Sequence, residues 1–304
     1  MGSAIKIAAP SAEALDGERS RPEFVRNDLG PVVDAVDKPL PLAERAWNSS
    51  PLRKAVLLAV LFAVWEMAGR HFAADGRELV LPTFSSSIEA FWRAVSAGTL
   101  LEQGWNSIRM LLIGYAAGLF LAAVLATLAM ASRVGNDLLE TATAAFSPLP
   151  AIAILPLAMI WFGLGTASLV FVLIHAVLWP VALNMHGGFK SVSATLRMVG
   201  GNYGMTGPRL AVKILFPAAF PSILTGMKIG WAFAWRTLIA AELVFGVASG
   251  TGGLGWFIFE AKNNLEIPQV FAGLLAVIAI GLFVEAAVFR PLEAVTVKRW
   301  GMSH

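Results

Sequence analysis

Three ionisable residues stand inside one long apolar stretch of the sequence: Lys228, Arg236 and Glu242. Such groups are costly away from water and mark either function or pairing. Lys228 lies near the start of the stretch, from which a long side chain can snorkel to a polar surface. Arg236 and Glu242 lie deeper and six positions apart, so they occupy different faces of a helix and do not pair within it. Arg236, surrounded by Trp231, Phe233 and Trp235, is a candidate for attracting an anion; the structural alternative is an ion pair with Glu66 or Glu285. Glu242 is a further candidate for the pathway, and His175 and Asn184 either line it or bond a neighbouring helix.

Other chemistries lack their residues. There is no cysteine, hence no thiol nucleophile, thiolate metal site or disulfide framework. His71, His175, His186 and His304 are scattered without ligand spacing, so no metal is expected. The glycines Gly200, Gly201 and Gly204 are not followed by the lysine and hydroxyl residue that cradle nucleotide phosphates. The chain is therefore expected to be no enzyme. No cluster of His, Asp or Glu suggests a membrane-embedded active site. A secondary transporter, the main rival reading, would call for an internal repeat and a relay of buried carboxylates; no repeat is evident and the carboxylates are too few.

The elements that position these residues are membrane helices. Of 304 residues 57% are hydrophobic and only 14% charged, against roughly 25% charged in soluble domains. The apolar residues fall in blocks long enough to cross a bilayer. Six spans are predicted, near residues 54–70, 105–130, 138–162, 167–187, 221–247 and 268–289, the third interrupted by Ser147-Pro148-Leu149-Pro150. The segment 85–95 puts Ile88, Phe91, Trp92 and Val95 on one helical face and is predicted to lie at the interface. Gly114/Gly118 and Gly226/Gly230 have the spacing of close helix contacts, with a dimer interface as the weaker alternative.

Basic residues orient the spans. Arg53 and Lys54, Arg133, Lys190 to Lys213, and Arg290 to Arg299 all fall on one side of a six-span chain, which places both termini in the cytoplasm. Residues 1–50 are polar and Pro-rich, with no apolar core of a cleaved leader; they read as a cytoplasmic tail with one short helix near Ala43 to Trp47. Residues 51–292 form the membrane domain and 293–304 a second cytoplasmic tail. The net charge of +3 is too small to suggest nucleic acid, and lipids are the expected surroundings.

The segment 190–220 is basic, without an acidic residue, too polar to span and too apolar for a solvated loop. Leu210, Ile214 and Leu215 recur at helical spacing, which predicts short helices at the membrane surface. Gly204, followed by Lys213-Ile214-Leu215-Phe216-Pro217, resembles the coupling loop of binding-protein-dependent ABC importer permeases. Leu81-Pro82-Thr83, the stretch 147–165 and the stretch 232–258 resemble the nitrate, sulfonate and taurine branch of that family.

The resemblance implies an all-α type I importer permease fold with six transmembrane helices. It also implies two copies of this chain in a bacterial inner membrane, two cytoplasmic ATP-binding subunits carrying the ATP and Mg, and a periplasmic or lipid-anchored substrate-binding protein. The expected substrate is a small anion such as nitrate, a sulfonate, taurine or a related carboxylate; a neutral thiamine-precursor-like solute is the alternative. Coupling would fall to Arg197, Met198, Gly200, Gly204 and Pro217. Where the family reads Glu-Ala-Ala, this chain has Met198, Val199 and Gly200, so docking would rest on shape, Arg197 and backbone groups.

Overall fold

The computed structural model describes residues 49–77, 79–245 and 252–298. The tail expected over 1–50, with its short helix, lies almost wholly outside these residues, as does the chain after residue 298. The chain divides into two units, one ending at Val60 and one beginning at Leu61. The described part of the first is the opening half of helix α1 (Ser50–Ala74), where Leu57, Leu58 and Val60 are exposed.

The second unit consists of helices and turns, with no strand among the described residues. After the closing half of α1 come α2 (Phe84–Ser96), α3 (Thr99–Ala131), α4 (Arg133–Phe146), α5 (Leu155–Phe162), α6 (Thr166–Ser191) and α7 (Ala194–Asn202), then α8 (Phe216–Phe245), α9 (Leu254–Asn263) and α10 (Ile267–Val284). Helical turns extend α8 backwards to Gly207 and α10 forwards to Lys298.

Four helical segments are long and apolar enough to cross a bilayer: α3, α6, residues Ala211–Val244 and residues Ile267–Val297. A fifth crossing exists if α4 and the segment Ala151–Phe162, bent by 87° at their junction, count as one broken span. α1, at 25 residues, occupies the place of the first predicted span.

α6 is the centre of the bundle, and glycines bring α3 and α8 onto it. A Cβ on Gly114 would lie 2.4 Å from the Cβ of Leu173, and one on Gly118 would lie 2.6 Å from the Cβ of Val177. On α8, a Cβ on Gly226 would lie 2.7 Å from that of Asn184, and one on Gly230 2.9 Å from Cγ2 of Val181. Both glycine pairs therefore serve contacts within the chain, the small-residue packing that replaces hydrophobic collapse in lipid. Tyr115 adds a bond from its hydroxyl to the Met227 carbonyl, 2.8 Å across the α3–α8 contact.

α3 shows the pattern clearly. It buries Gly104, Ser107, Gly114, Gly118, Ala122 and Ala126, while Leu101, Trp105, Leu112 and Phe120 are exposed. Apart from the buried Leu100, Leu111 and Tyr115, small residues face the protein and large apolar ones face outward, the reverse of a soluble amphipathic helix.

α2 departs from the interfacial expectation in part. Its buried face is Ser87, Ala90 and Ala94, and Phe91 and Val95 pack on the core; only Trp92 of the predicted apolar face is well exposed. Its start is fixed by Thr83, whose Oγ1 accepts from the Ser86 amide at 3.2 Å, a standard N-cap. The closing half of α1 locks onto this turn: Trp65 Nε1 donates to the Pro82 carbonyl at 3.0 Å, and Phe62 stacks on Phe84.

Candidate functional site

The segment between α6 and α8 contains one separate helix rather than several. α7 starts at Ser193, whose Oγ accepts from the Leu196 amide at 3.3 Å. It ends at Gly204, which has φ +68°. The Gly204 amide bonds the Gly201 carbonyl and the Met205 amide bonds the Gly200 carbonyl, both at 2.9 Å. This pair of bonds is the Schellman termination, which needs a left-handed residue at the position of Gly204. Chain reversal thus requires a left-handed residue at this position, for which glycine is best suited.

Leu210, Ile214 and Leu215, predicted to form surface helices, instead belong to the start of the long helix that continues into α8. Leu210 and Ile214 face Gly200: a Cβ there would lie 2.4 Å from the Leu210 Cδ1 and 2.6 Å from the Ile214 Cδ1. Gly200 is buried, while Leu196, Met198, Val199 and Tyr203 are exposed. Pro217 sits two residues after the end of a wide turn over Ala211–Leu215. Lacking an N–H, it leaves the Lys213 carbonyl without its helical partner, and the Phe216 amide bonds Ala211 across the widened turn. Arg197 is half-buried and donates to the Phe189 carbonyl at 2.6 Å, which ties α7 to the last turns of α6. That bond engages part of the guanidinium in holding α7 in place.

A second set of residues meets at the break in the third predicted span. Residues Ser147 to Ile152 join α4 to the next helical segment and line a cleft of about 360 Å³ with His175, Trp179, Phe233, Arg236 and Thr237. Non-helical backbone at membrane depth is tolerated where it lines a cavity, so the position of the break and the cleft explain one another. Of two lining residues, Nδ1 and Nε2 of His175 and Nε1 of Trp179 are buried without a hydrogen-bond partner among the described residues. Trp179 stacks on Phe146 with ring centroids 5.3 Å apart. The expectation that His175 and Asn184 bond a neighbouring helix is corrected for both: Asn184 donates to Pro180 of its own helix at 2.7 Å.

Arg236 is exposed, its Nε bonds the Ala232 carbonyl one turn back at 3.2 Å, and its guanidinium lies 5.6 Å from the Phe233 ring centre. No carboxylate pairs with it among the described residues. The two acids that could have paired with it are engaged elsewhere. Glu66 accepts from Arg70 and Ser85, and Glu285 lies 3.7 Å from Lys228. Lys228, expected to snorkel, is instead paired with Glu293 at 2.7 Å. Trp231 and Trp235 line a separate, smaller cleft on the other side of Arg236, next to Lys228 and Glu285.

Glu242 lies in neither cleft. It is buried, and its carboxyl accepts from Ser107 Oγ at 2.9 Å and from the Gly255 amide at 2.9 Å. Ser107 Oγ in turn accepts from the Leu254 amide, and Asn106 donates to the Gly252 carbonyl. This network fastens the start of α9 to α3 and α8, so Glu242 satisfies the free amides of a helix N-terminus. Sequence reasoning missed Ser107, whose partner lies 135 positions away and is brought to it only by the fold. The far end of α6 has its own tie, His186 to Asn136 at 2.9 Å and Lys190 to Glu140 at 2.8 Å.

Residues 114–290 match the family described as binding-protein-dependent transport system inner membrane component. The chain is 34% identical over 185 residues to the taurine transport system permease protein TauC of Escherichia coli, covering 61% of this chain and 65% of that one. It is 28% identical to the nitrate import permease protein NrtB of a Synechocystis species, covering 79% and 87%. It is 27% identical to the putative aliphatic sulfonates transport permease protein SsuC of Escherichia coli, covering 73% and 82%.

Proposed function

The chain belongs to the family of binding-protein-dependent transport system inner membrane components, and from that premise we propose how this permease subunit of an ABC importer works. The substrate is a small anion, and it passes the membrane along the cleft at the broken helix. The observation that carries this reading is Arg236: a guanidinium without a carboxylate partner among the described residues, on the wall of a cleft lined also by His175 and Trp179. The helical segment beginning at Ala151 opens onto the same cleft, and the positive end of a helix favours negative charge. The relatives named for taurine, nitrate and aliphatic sulfonates support an anion.

Energy enters through α7. Its exposed Leu196, Met198, Val199 and Tyr203 form the surface that docks on an ATP-binding subunit, in the place of the coupling helix. Two copies of this chain and two such subunits, which hold ATP and Mg, complete the importer, and a substrate-binding protein delivers the anion on the opposite face. Both termini and α7 face the cytoplasm, in accord with the placement of Lys and Arg along the chain. Closure of the ATPases moves α7, and the cleft opens alternately to the two sides.

Uptake by proteoliposomes containing the chain, its ATPase and its binding protein tests this. Anion uptake that depends on ATP, and falls with Arg236→Gln while ATP hydrolysis persists, is the expected result. Full uptake by the Arg236→Gln importer would remove Arg236 from the pathway.

A further inference from the structure

The same cleft carries information about the kind of anion it takes. We propose that it selects an organic monoanion, a sulfonate or carboxylate carried on an apolar, preferably flat body, over small inorganic oxyanions. This inference rests on the reading of the cleft as the substrate pathway.

Volume is the first argument. At about 360 Å³ the cleft falls at the lower end of the range typical of sites for organic molecules, and it far exceeds what a three- or four-oxygen inorganic anion fills. The second is the nature of the walls. Leu149, Pro150, Ile152 and Phe233 supply apolar surface, and Trp179 presents an indole held in place by its stack on Phe146. An inorganic anion entering such a space loses hydration where it meets the apolar walls and regains hydrogen bonds at only a few points. An organic anion directs its charged head to those points and removes its body from water against the walls.

The number and position of polar groups give the third. One cation, Arg236, faces the cleft among the described residues, which matches a single negative charge. His175 and Trp179 line the same cleft with their rings edge to face, centroids 6.0 Å apart, and their ring nitrogens are buried behind that surface. The cleft therefore offers a single cation within walls that are mostly aromatic and aliphatic. A site for a fully hydrophilic ion would distribute donors around its wall.

The test uses the full chain in lipid nanodiscs, with empty nanodiscs as the blank, and calorimetric titration with benzenesulfonate, nitrate and sulfate. Benzenesulfonate is expected to bind about tenfold or more tightly than either inorganic anion, the scale set by burying an aromatic ring. Arg236→Gln lowers the affinity for benzenesulfonate by about tenfold, as loss of a charged hydrogen bond does. Trp179→Leu lowers affinity for benzenesulfonate more than for nitrate. Nitrate binding as tightly as benzenesulfonate, with both dependent on Arg236, would overturn this inference and leave the anion pathway standing. Binding of none of the three, or binding indifferent to Arg236→Gln, would overturn both. The ranking of probes on the unaltered chain decides the matter even if a variant fails to fold.

Discussion

The Arg197 guanidinium donates to the Phe189 carbonyl at 2.6 Å, which ties α7 to the end of α6. α6 is also the helix on which α3 and α8 pack and the one that carries His175 and Trp179 into the cleft. A short mechanical path thus runs from the proposed ATPase docking helix to the proposed substrate site.

Breaking that path uncouples the two ends. Arg197→Leu is expected to leave ATP hydrolysis by the assembled importer largely intact while uptake per ATP falls severalfold, since a charged hydrogen bond is worth about 1.5–3 kcal/mol. Parallel assays of hydrolysis and uptake check this. Unchanged uptake per ATP would mean that force travels by another route.

Gly204 is favoured by its backbone angle, φ +68°, with nothing within 4 Å of an added Cβ. Gly204→Val should therefore cost about 1–2 kcal/mol of local strain, whereas Gly204→Asn, which tolerates the left-handed region, should be much milder. Affinity for the ATPase subunit, measured in nanodiscs, should follow the order Gly, Asn, Val. Equal loss with Asn and Val would point to a need for free space and not for the angle.

Met198 and Tyr203 are exposed on α7, at 61% and 77%. Met198→Glu combined with Tyr203→Ser is expected to weaken ATPase binding by about tenfold, the order of one or two truncated contact residues at an interface. Thermal stability of the chain alone should not change. A lowered melting temperature would show that these side chains serve the fold.

Close packing on α6 predicts a contrast between glycines. Gly118→Ala forces a methyl group against Val177 and should destabilise the chain by about 1–3 kcal/mol. Gly187→Ala, on α6 with open space around it, should be neutral or slightly stabilising. Thermal melts in one detergent compare the two directly.

Much of the helix plan is legible in the sequence because membrane spans announce themselves by length and apolarity, and the break at Ser147–Pro150 announces itself by its prolines. The convergence of His175, Trp179 and Arg236 is not, since it depends on how α6 and α8 are rotated against each other. Glu242 has the sequence signature of a pathway residue because buried acids usually are functional. Its engagement by Ser107 and Gly255 follows from the packing of three distant segments. Arg197 has the position of a docking residue, and its bond to Phe189 reflects how tightly the chain turns between α6 and α7.

The central claim is that the chain is the passive pathway of an ATP-driven importer. Its most direct test is radiolabelled anion uptake by proteoliposomes containing the chain, with its ATPase and binding protein added or withheld. Uptake that requires ATP and both partners is the predicted result. Uptake by the chain alone, driven by an ion gradient, would contradict it.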